Sequence, residues 1–127
     1  MDNYILKYKK DFIDIALSFV DPGINVEDIV LCGSRAGDWY LDNSDVDLAV
    51  GIEGHFDYDP EQHWFNTTFK DYSVDVFIVP TDMLGKWRGL QSPYYSLYDN
   101  KYFEGREEDL NWLRTHKPLL RARRNHG

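Results

Sequence analysis

Apolar residues recur every three or four positions along the first twenty residues, and this spacing predicts an amphipathic helix. Side chains at such intervals lie on one face of an α-helix, where they can pack against a core. The sequence Asp21-Pro22-Gly23 follows and predicts the end of the helix. The residues expected on the apolar face are Ile5, Tyr8, Phe12, Ile15 or Ala16, and Phe19.

Three short apolar runs predict β-strands, since they are rich in β-branched residues and too short for buried helices. They extend from Val26 to Cys32, from Val46 to Val50 and from Ser73 to Val79. One aspartate interrupts the second run and another interrupts the third. Strands that alternate with helical segments predict an α/β (α+β) fold, with a short mixed β-sheet flanked by helices.

Residues that cap helices or form turns divide the rest of the chain into three further helices and a loop. The first of these helices is expected to lead to the third strand. With 127 residues, 43% of them hydrophobic, the chain predicts a single domain, 1–127, that buries its own core. The expected segments are a helix capped by Asp59 with Pro60 at its first position, a helix from Thr81 or Asp82 to about Leu90, a tyrosine-rich loop over residues 92–103, and a final helix after Gly105 that contains Leu110, Trp112 and Leu113.

Asp45 and Asp47 lie two positions apart at the start of the second predicted strand. Side chains so spaced in a strand point to the same face, whereas Val46 and Leu48 turn towards the core. Asp75 can join the two acids if the second and third predicted strands are neighbours. Three adjacent carboxylates repel one another unless a cation lies between them, and such oxygen ligands suit Mg²⁺ or Mn²⁺. We therefore predict a metal site at these three residues.

Gly33 and Ser34 follow the first predicted strand and are expected to form a phosphate-binding turn. Glycine lets backbone N–H groups approach a phosphate, and a short helix beginning at Ser34 would add the positive end of its dipole. Ser34 can cap that helix and donate to a phosphate at the same time. A turn of this kind upstream of three acids supplies the parts that two-metal phosphoryl transfer needs.

The stretch GSRAGDWYLDNSDVDLAV, from Gly33 to Val50, and the stretch SVDVFIV, from Ser73 to Val79, resemble the DNA polymerase β-like nucleotidyltransferase superfamily. Members of that superfamily combine a Gly-Ser pair, an Asp-x-Asp pair and a later single Asp on a strand. The chain is most similar to the small minimal nucleotidyltransferases, which include those paired with HEPN toxins. The resemblance covers residues 26–80, and Gly37-Asp38 stands where the family usually has Arg-Gly.

The resemblance implies a metal-dependent nucleotidyltransferase that moves a nucleoside monophosphate to a hydroxyl of a protein, an RNA or a small molecule. ATP is the expected donor by default, and other nucleoside triphosphates stay open. By resemblance, Asp45 and Asp47 bridge two Mg²⁺ or Mn²⁺ ions, while Asp75 binds the ion at the acceptor and helps to deprotonate its hydroxyl. The residues expected to bind the nucleotide are Gly33, Ser34, Arg35 and Ser44.

Several alternatives stay open at this point. The chain is either such an enzyme or an antitoxin-like or regulatory interaction protein, whose nucleotidyltransferase fold binds a nucleotide without catalysis. Arg35 is either a surface residue or a contact to phosphate. Expected partners are a nucleoside triphosphate, an RNA acceptor or a HEPN-toxin-like protein, and a second copy of the chain in a homo-oligomer. The tyrosines that either stack on a base or, as we favour, pack against the core are Tyr94, Tyr95, Tyr98 and Tyr102.

The net charge of -8 is unevenly distributed along the chain. Nine of the 14 basic residues and all 22 acidic residues lie before Arg114, and this acidic balance disfavours non-specific binding to duplex nucleic acid. The tail over residues 114–127 is basic and could contact phosphate, RNA or an acidic partner. We favour the simpler interpretation of a solvated, frayed tail.

The single cysteine, Cys32, excludes an intramolecular disulfide and is expected to be a buried structural thiol. No apolar stretch approaches the length of about 20 residues that spans a bilayer as a helix. Residues 1–10 lack the charged-then-apolar order of a signal peptide. We therefore expect a cytoplasmic protein without a membrane partner.

Overall fold

A computed structural model describes residues 1–37, 40–84 and 93–104, and in these ranges the chain has a mixed α/β fold with a six-stranded sheet. The α-helices there are α1 (Lys9–Leu17) and α2 (Pro60–His63). Short 3₁₀ helices cover Ile5–Tyr8, Gly33–Arg35 and Thr81–Met83. The strands are β1 (Val26–Cys32), β2 (Val46–Ile52), β3 (Trp64–Phe69), β4 (Tyr72–Pro80), β5 (Tyr94–Ser96) and β6 (Lys101–Phe103).

The strands have the order β3-β4-β2-β1-β5-β6 across the sheet. β2 and β4 pair in parallel, and the other four pairs of neighbours are antiparallel. The register of the parallel pair places Val46 beside Val74 and Asp47 beside Asp75. The prediction that both acid-bearing strands exist and can lie side by side is therefore confirmed. β1 also has its predicted bounds.

The core lies between α1 and one face of the sheet. The helical segment buries Ile5, Phe12 and Ala16, so its predicted apolar face is confirmed, although Ile5 lies in the 3₁₀ helix before α1. Alternate residues of a strand point to opposite faces, so Asp47 and Asp75 point away from this core. The sheet residues packed in the core are Ile29, Leu31, Val46, Leu48, Val50, Val74, Val76 and Ile78.

The prediction of a helix from Asp59 to the strand of Asp75 is wrong beyond its first turn. Asp59 does cap α2, since its Oδ1 accepts a hydrogen bond from the backbone N–H of Glu61 at 3.0 Å. The chain then enters β3, which forms an antiparallel hairpin with β4. Exposed and half-buried positions alternate along β3, and its aromatic and threonine side chains suit a strand better than a helix. Lys70 makes the hairpin turn in the left-handed region, at φ +53°.

The segment predicted as a tyrosine-rich loop contains the β5–β6 hairpin instead. β5 pairs with β1, with Ser96 beside Val30, and Asn100 turns the hairpin at φ +55°. Tyrosine and phenylalanine favour strands when a neighbouring strand offers hydrogen bonds, and that neighbour is distant in the sequence. Together with β3, the sheet therefore has three strands that the sequence does not predict.

After β4, the described chain forms one 3₁₀ turn in place of the start of the predicted helix. The Thr81 hydroxyl does not cap it; it donates to the Glu27 carboxylate at 2.7 Å and to the Ile52 carbonyl at 3.2 Å. The remainder of that predicted helix, the final predicted helix and the basic tail lie outside the described residues. Within the described ranges, no helix combines the length and the apolar character needed to cross a bilayer.

Candidate metal and phosphate site

Asp45, Asp47 and Asp75 come together at one end of the parallel β2–β4 pair. Asp47 and Asp75 are register partners, and Asp45 immediately precedes β2. Each residue offers a carboxylate oxygen, and the three oxygens lie within 4.8 Å of one another. Asp47 is 1% exposed and Asp75 7%, whereas Asp45 is half-buried. The predicted cluster of three acids is therefore present, with two of its members largely removed from water.

The donor set of this cluster fits a hard divalent cation. Carboxylate oxygens are the ligands that Mg²⁺ and Mn²⁺ prefer, and three negative charges at this spacing oppose one another unless a cation balances them. In the described part of the chain this is the one group of three or more acidic, histidine or cysteine side chains placed to share a metal ion. The parallel ladder between β2 and β4 makes Asp47 and Asp75 register partners, so the pairing of the strands alone brings these two carboxylates together.

Gly33 forms the turn that ends β1 and supports Asp47. Its φ of +69° lies in the left-handed region, and a Cβ at this position would collide with the Asp47 carboxylate. The Gly33 carbonyl accepts from the N–H groups of Ala36 and Gly37, both at 3.2 Å. The turn is the 3₁₀ helix Gly33–Arg35, and Ser34 within it is 4% exposed. Glycine is thus required here to make room for the Asp47 carboxylate, while the contact of this turn with phosphate stays a prediction.

Replacing Gly33 with alanine is expected to cost more stability than the same change at Gly23, and to weaken metal binding as well. Both glycines have a positive φ, +69° and +90°, so both alanines carry backbone strain of about 1–2 kcal/mol. Nothing lies within 4 Å of a Cβ at Gly23, whereas at Gly33 it meets Asp47. Urea denaturation and Mn²⁺ binding of both variants measure the difference. Equal stability losses with unchanged Mn²⁺ affinity would contradict the role of Gly33.

Cys32 is buried and its Sγ lies 3.5 Å from the backbone carbonyl of Asp47. The expectation of a buried thiol is therefore confirmed. The contact lies on the sheet face that also carries the acids, and it adds to the packing that holds Asp47 in place.

Arg35 is 3% exposed, so its interpretation as a surface residue is wrong. Its guanidinium forms an ion pair with Asp2 and donates to the backbone carbonyls of the loop that leads into Asp45. Its predicted contact with phosphate stays a prediction. The loop carbonyls that accept from Arg35 belong to Leu41, Asp42 and Ser44, at 3.4, 3.0 and 2.8 Å from Nη2.

Two rings lie over the Arg35 guanidinium, and one hydroxyl closes the loop that the guanidinium contacts. The Arg35 guanidinium carbon lies 5.6 Å from the ring centroid of Tyr40 and 5.0 Å from that of Tyr72. The Ser44 hydroxyl accepts from the backbone N–H of Leu41 at 2.7 Å. Ser44, predicted to contact the nucleotide, therefore has a structural role in closing the loop, and its nucleotide contact stays a prediction.

β3 supplies two hydrogen-bond donors to Asp75. The Asn66 amide donates to Asp75 Oδ1 at 2.8 Å, and the Trp64 indole N–H donates to the same oxygen at 3.3 Å. Trp64 is 49% exposed, and its ring stacks on Phe77 with centroids 6.0 Å apart. Neither donor is predicted from the sequence. Their signal was the alternation of polar and aromatic residues over Trp64–Phe69, which predicts a strand, although not which strand it pairs with.

Tyr58 is a further residue near the site that the sequence analysis missed. Burial, followed by the charges of Asp59 and Asp75, raises the pKa of Tyr58 to about 12. Its phenol is therefore neutral at physiological pH and keeps its O–H as a donor. The Tyr58 ring also lies against Phe77, with centroids 6.4 Å apart.

The tyrosines of the β5–β6 hairpin divide into packed and exposed residues. Tyr95 packs against the main core, and Tyr94 packs against the small cluster formed by Val30, Cys32 and Ala49. Packing, the favoured alternative, is therefore confirmed for these two. Tyr98 and Tyr102 are 40% and 44% exposed, and their stacking on a base stays a prediction.

Comparisons with protein-family models, with curated proteins and with solved structures find no match to the chain. A functional assignment therefore depends on the three carboxylates, the turn at Gly33 and the donors of β3.

Proposed function

We propose that the chain is a metal-dependent nucleotidyltransferase, which transfers a nucleoside monophosphate from a nucleoside triphosphate, by default ATP, to an acceptor hydroxyl. The observation that carries the proposal is the placement of Asp45, Asp47 and Asp75, whose ligand oxygens lie within 4.8 Å of one another. An accidental acidic surface would be solvated, whereas Asp47 and Asp75 are almost fully buried. Burying like charges in this way lowers the stability of the fold, and a function that needs a bound cation would explain why these acids are buried.

The three acids fit a pair of divalent ions, in the arrangement that the resemblance implies. Asp45 and Asp47 would hold both ions, and Asp75 would hold the ion nearer the acceptor. When bound, such ions stabilise the charge that develops on the attacking and leaving oxygens of an in-line displacement. Asp47 and Asp75 lie on two adjacent strands, so this pair of carboxylates would be preorganised as electrostatic catalysis requires.

The chain's own residues then bind and orient the substrates. The turn at Gly33 and the Ser34 hydroxyl would donate to the triphosphate, since the turn is adjacent to Asp47. The acceptor oxygen bonds to the α-phosphorus as the bond from that phosphorus to the β-phosphate oxygen breaks. Pyrophosphate leaves with the electrons of the broken bond, and the hydroxyl proton passes to Asp75 and then to water. The products are an acceptor that carries a nucleoside monophosphate, and pyrophosphate.

Titration with Mg²⁺ or Mn²⁺ is expected to raise the melting temperature of the protein, and nucleotide is expected to raise it further. A ligand at one hundred times its dissociation constant adds about 2.7 kcal/mol to the free energy of unfolding. Asp45→Asn should reduce the response, because it removes one ligand. Asp42→Asn is the matched control, since it removes the same charge from an exposed side chain three positions earlier.

The transfer itself is measured with a nucleoside triphosphate labelled at the α-phosphate, incubated with an extract and either metal ion. We expect label to appear on an acceptor only when the metal is present. The absence of any thermal response to both ions, with and without nucleotide, would contradict the proposed function. An Asp42→Asn variant that loses the response as fully as Asp45→Asn would contradict the assignment of the ligands.

A further inference from the structure

We propose that Asn66, together with the indole N–H of Trp64, is a positioning residue that orients the Asp75 carboxylate for metal binding. This inference rests on the proposed function, because it concerns one ligand of that site. Asn66 and Asp75 are register partners across the antiparallel β3–β4 pair, so their side chains lie side by side on one face of the sheet. The orientation of Asp75 is thereby determined by the neighbouring strand as well as by its own.

Both donors act on a single oxygen of Asp75. Asn66 Nδ2 lies 2.8 Å and Trp64 Nε1 3.3 Å from Oδ1. Rotation of a carboxylate about its last side-chain bond is otherwise broad and nearly two-fold. Because the carboxylate is planar, holding Oδ1 towards β3 also fixes the direction of Oδ2. One oxygen of Asp75 is thus engaged by β3, and this contact fixes the plane of the carboxylate.

The Asn66 amide is itself held in one orientation. Its Nδ2 also lies 3.0 Å from Ser73 Oγ and 3.4 Å from the Val74 carbonyl. A carboxylate and a backbone carbonyl can only accept, so the NH₂ group, not the amide oxygen, must face Asp75 and Val74. The two N–H bonds of the amide thus have three acceptors within 3.4 Å, and turning the amide oxygen towards them would lose the bond to Asp75.

Trp64 is fixed by a different contact. Its ring is parallel to that of Phe77 within 10°, and this stacking directs the indole N–H towards Asp75.

Asparagine is disfavoured in β-strands, so the strand propensity of β3 would be higher with a β-branched residue at position 66. Asn66 on this strand is therefore explained by its hydrogen bond to Asp75. Removing a hydrogen-bond partner of a metal ligand typically lowers metal affinity by about 10–100-fold.

The test measures the Mn²⁺ affinity of the full chain by titration for the wild type, four single variants and one double variant. Asn66→Ala is expected to weaken Mn²⁺ binding about 10–100-fold, with a smaller loss for Trp64→Phe, which keeps the ring on Phe77. Thr68→Ala, at an exposed position on the same face of the same strand, is the matched control and should bind as the wild type does. In the Asp75→Asn background, Asn66→Ala should have no further effect, because its action passes through Asp75.

A purely structural role for Asn66 would lower the melting temperature without this dependence on Asp75. Wild-type Mn²⁺ affinity in Asn66→Ala would overturn the inference and leave the proposed function intact. An equal loss of affinity from Asn66→Ala in the wild-type and Asp75→Asn backgrounds would also overturn it. A wild-type protein that binds no Mn²⁺ would overturn the proposed function, and this inference with it.

Discussion

Asp2→Ala is expected to lower the free energy of unfolding by about 3–5 kcal/mol, the usual loss when one partner of a buried ion pair is removed. Arg35 is 3% exposed and Asp2 4%, so the change leaves a guanidinium without its counter-charge and away from water. The Asp2 carboxylate also accepts from the backbone N–H of Tyr4 at 3.1 Å, and that bond is lost too. A domain of ordinary stability, 5–15 kcal/mol, would lose a large share of it.

Urea denaturation of Asp2→Ala and Asp14→Ala provides the measurement and its control. Asp14 lies in α1 with an exposed side chain, so its replacement should change the free energy of unfolding by no more than about 0.5 kcal/mol. A loss below about 1 kcal/mol at Asp2 would mean that the buried pair contributes little beyond the cost of its own desolvation.

The same ion pair is expected to influence the metal site through the loop that Arg35 holds. Three carbonyls of residues 41–44 accept from the guanidinium, and Asp45 follows directly. Lysine cannot reproduce a planar group that donates in several directions and lies over the rings of Tyr40 and Tyr72, so Arg35→Lys should also destabilise the fold. Mn²⁺ affinity measured well below the melting temperature should also fall, because the loop then no longer holds Asp45 in one position.

Asp75→Asn is expected to reduce nucleotide transfer by about 10²–10⁴-fold, the range associated with a lost general base, while the protein stays folded. The asparagine keeps an oxygen that can accept from Asn66 and Trp64, so the β3–β4 contacts survive. Asp45 and Asp47 remain to bind nucleotide with its metal ion. The loss should therefore fall on the transfer step and leave nucleotide affinity largely unchanged.

Labelled AMP transfer and the effect on a partner, compared in one extract, distinguish the two functional alternatives. Undiminished transfer by Asp75→Asn would contradict a mechanism with three carboxylates. Lost transfer with a preserved effect on the partner would favour the antitoxin-like or regulatory interaction protein. Lost transfer together with a lost effect would favour an enzyme that acts on the partner covalently.

The sequence is sufficient to predict the strands that carry the acids, because the signals of those strands are local. β-Branched runs around Asp47 and Asp75 have only one acid inside each strand, and the alternation of strand side chains decides which way that acid points. The sequence signal for the turn at Gly33 is local as well. The three acids thus follow from the sequence as soon as β2 and β4 are taken as neighbours.

The residues around the acids could not be predicted in this way, since their roles depend on partners distant in the sequence. Arg35 pairs with a residue 33 positions earlier, and Ser96 pairs with a strand more than 60 positions earlier. Local helix signals are also misleading before the β3–β4 hairpin. Asp59-Pro60 starts a helix there, but the chain leaves the helix after one turn and pairs as β3. Only the register of β3 against β4 shows that Asn66 meets Asp75.

The fixed spacing of Asp47 and Asp75 has a consequence for any search for sturdier variants of this protein. The backbone ladder keeps the two carboxylates adjacent whether or not a cation is present, so without a cation their repulsion opposes folding. A selection scored by heat resistance alone, in a chelating buffer, would enrich neutral replacements at these positions. Such a selection would stabilise the protein and remove carboxylates of the proposed metal site, so directed evolution of this fold should be carried out with metal ions in the buffer.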